Sequence, residues 1–146
     1  MEAKVSWKSR MSFTGTADSG FEAPLGTVSA VGGDEDGFKP MELFLIGLAG
    51  CTGMDVMSIL SKKRQEVSFF DIKVQAERTE THPRVFTRIF VEYVLSGPNL
   101  DLAAVERAVE LSTTRYCPGQ AMLSKTAQIE SKITIVEPEN GEFHIN

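Results

Sequence analysis

Between Leu43 and Cys51 every residue is apolar or glycine. This run constrains the fold more than anything else in the chain. A surface helix carries polar residues at helical spacing, whereas an element that is apolar all round is enclosed by protein or lipid. Nine residues are too few for a bilayer, which needs roughly 20. The stretch Pro40 to Gln65 therefore predicts a central helix, or two helices end to end, buried within a protein core with Cys51 in its middle.

The flanks agree with a helix. Pro40 suits a first helical position, where its missing N–H is harmless. Glu42 falls in the first turn, at the positive end of the helix dipole, and Lys62, Lys63 and Arg64 lie at the negative end. Gly47, Gly50 and Gly53 oppose it, each disfavouring helix by about 1 kcal/mol relative to alanine. Two readings fit. Either another backbone packs closely over this face, or the helix breaks near Gly50 and restarts with Thr52 as cap and Asp55 three residues on. In the second case Cys51 lies at a helix N-terminus, a location that activates thiols.

Around this helix the periodicities read as follows. Ala3, Val5 and Trp7 alternate with Lys4, Ser6 and Lys8, as in a half-buried strand. Residues 11–16 form a second strand, 22–30 hold one or two short strands, and 31–39 are a glycine-rich acidic loop. Residues 69–79 and 85–95 read as a long antiparallel pair. In the first, Phe70, Ile72, Val74 and Ala76 share a face. In the second, Val85, Ile89, Val91, Tyr93 and Leu95 do. Asp101 to Tyr116 is a second helix, with Leu102, Val105, Ala108, Val109 and Ser112 at helical spacing, ended or kinked by Pro118. A short helix over 119–126 and a last strand over 128–137 follow. Pro138 suits the strand end, and the remainder to Asn146 reads as a tail. The order predicts one α+β domain over 1–146, with a mainly antiparallel sheet around the buried helix. A single sheet covers one face of that helix. The other face needs a second layer, and a second subunit is the simplest source: a homodimer with an interface near residues 43–60.

The net charge of −5 argues against nucleic acid, which is met by basic patches. Residues 1–13 lack the hydrophobic stretch of a signal peptide, so the expected compartment is the cytoplasm, where structural disulfides are rare. Membrane association, metal and cofactor are not expected. The only histidines, His82 and His144, fall in a turn and in the tail. Cys51 and Cys117 are too far apart in sequence for a CxxC pattern. They are nevertheless the strong nucleophile candidates. Inert burial is the competing reading, since free cysteine often serves as a small hydrophobe. Three features favour chemistry: Gly50 and Gly53 leave room beside Cys51, Cys117 stands at a helix end where a thiol can be exposed, and a thiol pair in a reducing compartment is redox-active. Such a pair suits thiol peroxidase chemistry. One thiolate attacks O–O and becomes a sulfenic acid, the second condenses with it to a disulfide, and an external thiol resets the pair.

Pro40-Met41-Glu42-Leu43, Gly50-Cys51-Thr52 and Met54-Asp55-Val56, together with Arg115-Tyr116-Cys117-Pro118 and Leu123-Ser124-Lys125, resemble the two cysteine motifs of the OsmC/Ohr family of osmotically induced proteins and organic hydroperoxide reductases. Ile59 to Gln65 looks most like the OsmC-like branch of unassigned function. The resemblance implies an intertwined α+β homodimer with two interface sites, each holding a peroxidatic Cys51 and a resolving Cys117. It also implies a hydroperoxide substrate and an external thiol or dithiol reductant. In the hydroperoxide reductases a glutamate directly follows the proline and helps hold a catalytic arginine from the N-terminal region. Here that position is Met41, the carboxylate is Glu42, and Arg10 is the only arginine before the central helix. Glu42 and Arg10 are thus the candidates for orienting substrate; a first-turn dipole residue and an exposed strand-end arginine are the plainer alternatives. Phe44, Leu48, Met54 and Met122 are the candidate apolar walls. A non-enzymatic dimer with an apolar pocket and redox-sensing thiols, or a structural dimer with two buried cysteines, stay open beside the peroxidase.

Overall fold

The structure, a computed structural model, describes residues 1–137; the expected strand end at Pro138 and the tail with His144 lie outside them. The chain divides into two compact units, 1–46 and 47 onward, and helix α1 (Pro40–Lys62) begins in the first and continues into the second.

In the first unit, strands β1 (Ala3–Ser9), β2 (Ser12–Ala17) and β3 (Glu22–Leu25) form an antiparallel sheet in that order. One short strand and a 3₁₀ turn, Ser29–Val31, occupy the region where up to two strands were expected. The acidic loop is glycine-rich because backbones touch there. A Cβ on Gly33 would collide with the Thr27 carbonyl oxygen, and one on Gly37 would meet the Pro24 backbone at 2.6 Å. The expectation of a half-buried β1 fails in the single chain. β1 is exposed along its length, with Val5 and Trp7 among the open side chains. All the large buried hydrophobic side chains of the described residues lie from Leu48 onward, and the apolar face that the alternation of β1 creates is exposed.

The second unit holds that core. Strands β4 (Phe69–Arg78), β5 (Phe86–Ser96) and β6 (Gln128–Ile135) form a sheet with β5 in the centre. β4 and β5 pair antiparallel as expected, but β5 and β6 run parallel. A parallel return needs a crossover of a dozen or more residues. Helix α2 (Leu102–Leu111), a π turn (Ser112–Tyr116) and helix α3 (Pro118–Leu123) supply it. Ile89, Val91, Tyr93 and Leu95 are wholly buried, as befits one face of a central strand. Val85 does not join them. A register shift beside Glu77 and Arg78 pairs Arg78 with Phe86, and Phe86 takes the buried place while Val85 stays outside the strand, exposed.

α1 is one uninterrupted helix through all three glycines. Its buried residues, Leu48, Thr52, Val56 and Leu60, recur every four positions and make a single stripe. Burying a Val or Leu side chain yields about 1.5–3 kcal/mol, which outweighs the glycine penalty of about 1 kcal/mol per position. Gly53 alone of the three is tightly approached: a Cβ there would meet Ile72 Cδ1 at 2.9 Å, whereas Gly47 and Gly50 face open space. The expected enclosure of α1 is therefore half realised in one chain, since Phe44, Ile46, Met54 and Met57 are exposed. By length and composition α1 is apolar enough to cross a membrane, but its buried stripe packs into the second unit and Asp55 interrupts it.

Candidate functional site

Cys51 sits on α1 one residue before Thr52, half-buried; Cys117 is buried. The single α1 removes the helix-restart reading, so Cys51 is mid-helix. Cys117, at a helix end where a thiol can be exposed, is instead enclosed. The cause is local. After α2 the chain widens into a π turn, and the Cys117 amide donates to the Ser112 carbonyl at 2.9 Å, an i to i−5 bond. Pro118 then opens α3 with Cys117 as its N-cap, and the Gln120 amide donates to Cys117 Sγ at 3.3 Å. This turn lies against α1: a Cβ on Gly119 would be in ordinary contact with Cys117 Sγ and Leu48 Cα, 3.6 Å from each. π turns inside helices recur at functional sites.

The fold brings the two thiols together. Cys51 lies near enough to Cys117 to bear on its ionisation. Burial, first of all, pushes the Cys117 thiol up to about 11; the Gln120 amide opposes that, and Cys51 raises it further through its hydrogen bond and its charge. Cys117 is thus a neutral thiol at physiological pH.

Beside the pair runs a buried chain of hydroxyls. Thr52 Oγ1 lies 2.8 Å from Tyr93 Oη and 2.8 Å from Ser112 Oγ, and Ser112 Oγ donates to Asp55 Oδ2 at 3.0 Å. Thr52, Tyr93 and Ser112 are fully buried. Burial pushes the Tyr93 phenol up, the Thr52 hydrogen bond opposes it, and the charge of a Cys117 thiolate would raise it further. Asp55, half-buried, lines a cleft of about 460 Å³ with Ser58, Ile59, Lys62, Leu111 and Tyr116. In one of two readings of the sequence Thr52 was a candidate cap, and in neither was this chain visible. Its trace was a polar residue recurring in step with Leu48, Val56 and Leu60, and a serine in step with Val105, Ala108 and Val109.

Arg10 and Glu42 have partners within the first unit. Arg10 occupies the β1–β2 turn with a positive φ of 48°. Its guanidinium pairs with Asp34 at 2.7 Å and donates to the Gly32 carbonyl at 3.1 Å. Glu42 reaches back to accept from the Lys39 amide at 3.0 Å, the reciprocal bond of a capping box. That bond, above all, holds its carboxyl below the usual range. Also in this unit, Val5, Phe13, Phe21, Leu25, Leu43 and Phe44 contribute to an apolar groove of about 540 Å³.

The mixed α+β fold, two three-stranded sheets and a long helix, is that of the OsmC-like proteins. The chain belongs to the OsmC-like protein family, whose model matches residues 32–132. It is similar to Protein YhfA of Escherichia coli K12, 38% identical over 136 residues, covering 93% of this chain and 98% of that one. Among solved structures it resembles a hypothetical protein from Aquifex aeolicus at TM-score 0.82 and 33% identity, covering 94% and 97% of the two chains. It shares the fold of the organic hydroperoxide resistance protein OhrB of Bacillus subtilis at TM-score 0.62 and 20% identity, covering 92% and 98%.

Proposed function

We propose that the protein is a thiol-dependent peroxidase that reduces organic hydroperoxides in oxidative or osmotic stress defence in the cytoplasm. The observation that carries this reading is the juxtaposition of two thiols of unlike setting, Cys51 half-buried and Cys117 buried and neutral. Family membership and the fold shared with hydroperoxide resistance proteins support it. The Cys51 thiolate attacks the peroxide, ROOH + RS⁻ giving RSOH and an alkoxide, which takes a proton to leave as the alcohol. Cys117 then condenses with the sulfenic acid. Its S–H proton leaves with the sulfenic hydroxyl as water while the S–S bond forms. An external thiol or dithiol returns both residues to thiols by exchange.

The working unit of this reading is a homodimer. The first unit buries no large hydrophobic side chain, and Phe44, Ile46, Met54 and Met57 of α1 are open; a second copy is the cover that this apolar surface needs. Arg10 and Glu42 enter the reading as supports of the first unit.

The test is consumption of cumene hydroperoxide with dithiothreitol as reductant. Cys51→Ser loses essentially all activity. Cys117→Ser keeps the first turnover and then accumulates over-oxidised Cys51. Equal rates for wild type and Cys51→Ser reject the proposal. The apolar groove of about 540 Å³ favours a second reading, a binding protein for an apolar ligand. Thiols that mass spectrometry finds untouched after mild peroxide treatment would select it.

A further inference from the structure

Cys51 heads a stripe of α1. Asp55, Ser58, Ile59 and Lys62 follow it at i+4, i+7, i+8 and i+11, the spacing of one helix face. All four line the cleft of about 460 Å³, together with Leu111 and Tyr116. Tyr116 is bonded in the chain to Cys117. The cleft thus begins one helical turn from the first thiol and one residue from the second. Its volume falls in the range of small-molecule sites, about 300–1,000 Å³. Its lining sets two opposite charges among the apolar side chains of Ile59 and Leu111. Neither Asp55 nor Lys62 is in an ion pair among the described residues. They stand at i and i+7, about 10 Å apart along the axis, beyond the i, i+4 pairing by which helix charges satisfy one another. Arg115, its guanidinium 5.5 Å from the centre of the Tyr116 ring, adds positive charge at that wall. The complement of such a lining is a small zwitterion.

We propose that this cleft receives the external reductant, and that the reductant is a short cysteinyl peptide with free ends, its ammonium on Asp55 and its carboxylate on Lys62. This rests on the reading of Cys51 and Cys117 as a pair that oxidises to a disulfide. In an N-terminal cysteine the ammonium and the thiol belong to one residue. An ammonium held at Asp55 therefore leaves the sulfur beside Cys51, about 6 Å away along the axis. Two extended residues span at most about 7 Å. The Lys62 stem, which leans toward the helix N-terminus as helical side chains do, covers the remaining distance to the carboxylate. The peptide thiolate attacks Cys51, the half-buried and so the reachable sulfur. A mixed disulfide forms, the Cys51–Cys117 bond breaks, and Cys117 leaves with the electron pair and takes a proton. A second peptide thiolate then attacks the peptide sulfur of the mixed disulfide, releasing Cys51 reduced and the peptide as its own disulfide.

The test uses the full chain, oxidised with cumene hydroperoxide, and follows its reduction by mass spectrometry with cysteinylglycine, its N-acetyl form and its amide. The preference for a free ammonium is the rate with cysteinylglycine over that with the N-acetyl form. It falls about threefold in Asp55→Asn, the scale of an exposed ion pair. The preference for a free carboxylate, the rate with cysteinylglycine over that with the amide, falls about threefold in Lys62→Gln. Comparing each ratio between variant and wild type cancels the intrinsic reactivity of the thiols. Lys62 is exposed, so Lys62→Gln carries the test if Asp55→Asn does not fold. Ratios that neither change moves overturn the proposal. Separately, S-methylcysteinylglycine, which cannot react, is titrated into the reduced protein and followed by NMR. Shifts centred on Asp55 to Lys62 and on Leu111 and Tyr116 are expected, and their absence overturns the proposal. Binding in a protein whose thiols never join under peroxide removes the peroxidase reading and the reductant role with it. A disulfide whose reduction ignores both charges removes the reductant role alone.

Discussion

Replacing Thr52 by valine nearly keeps the shape of the side chain and deletes the oxygen that ties α1 to both β5 and the π turn. Two buried hydrogen bonds of 2.8 Å disappear. Each contributes about 0.5–1.5 kcal/mol net, and a buried group left without its partner costs about 1–3 kcal/mol. Ser112 retains Asp55, so the donor that loses its 2.8 Å acceptor is the Tyr93 hydroxyl, with Ser131 its remaining neighbour. The added methyl of valine returns about 0.8 kcal/mol. The balance predicts a loss of about 2–3 kcal/mol. Tyr93→Phe alone loses about 1 kcal/mol. The double variant should lose no more than Thr52→Val, because no donor is then stranded, giving a coupling of about 1 kcal/mol. Thr52→Ser, which keeps the hydroxyl, should lose only about 1 kcal/mol for its methyl. The assay is urea unfolding at fixed protein concentration with reductant, read as a midpoint shift at constant slope. A loss below about 0.5 kcal/mol for Thr52→Val, or additivity of the two single changes within about 0.3–0.5 kcal/mol, refutes the reasoning.

Two further predictions concern charge. Between an ordinary thiol value of 9.0 and its folded value of about 11, Cys117 keeps a proton that the unfolded chain has lost, so native stability falls as pH rises through that window. The linkage is at most about 3 kcal/mol and is absent below it. Urea unfolding at about pH 8 and about pH 10.5, wild type against Cys117→Ala, reads the difference, and parallel pH slopes refute it. Arg10→Gly removes an exposed ion pair worth no more than about 1 kcal/mol and relieves a left-handed residue of about 1–2 kcal/mol. Stability should therefore stay within about 1 kcal/mol of wild type. If hydroperoxide turnover collapses while the urea midpoint holds, Arg10 works on substrate and not only in its turn.

What was legible beforehand follows from the range of each interaction. The alternation of Phe70, Ile72, Val74 and Ala76 reports a strand whose faces differ, and the burial of β4 follows it residue by residue. The start of α1 was equally plain, since Pro40 and Glu42 act within one turn. The parallel course of β6 was not visible, because Ile129, Ile133 and Ile135 alternate identically whichever way the strand runs. Val85 and Phe86 exchanged places through a register shift that no periodicity announces. Both cysteines were legible as candidates, but their meeting was expected only from the family resemblance: spacing is silent on it, because it depends on a π turn whose extra residue per turn leaves no compositional mark. Thr52 misled because threonine before a carboxylate reads as a cap locally, and only the cross-chain partners Tyr93 and Ser112 reveal a core residue.

Gly47 and Gly50 stand on α1 with no atom within 4 Å of where a Cβ would be. In an isolated subunit an alanine at either place would fit without displacement and strengthen the helix by about 1 kcal/mol. The chain thus leaves a smooth, side-chain-free track along its longest helix, and its folded subunit stays less stable than its own backbone allows.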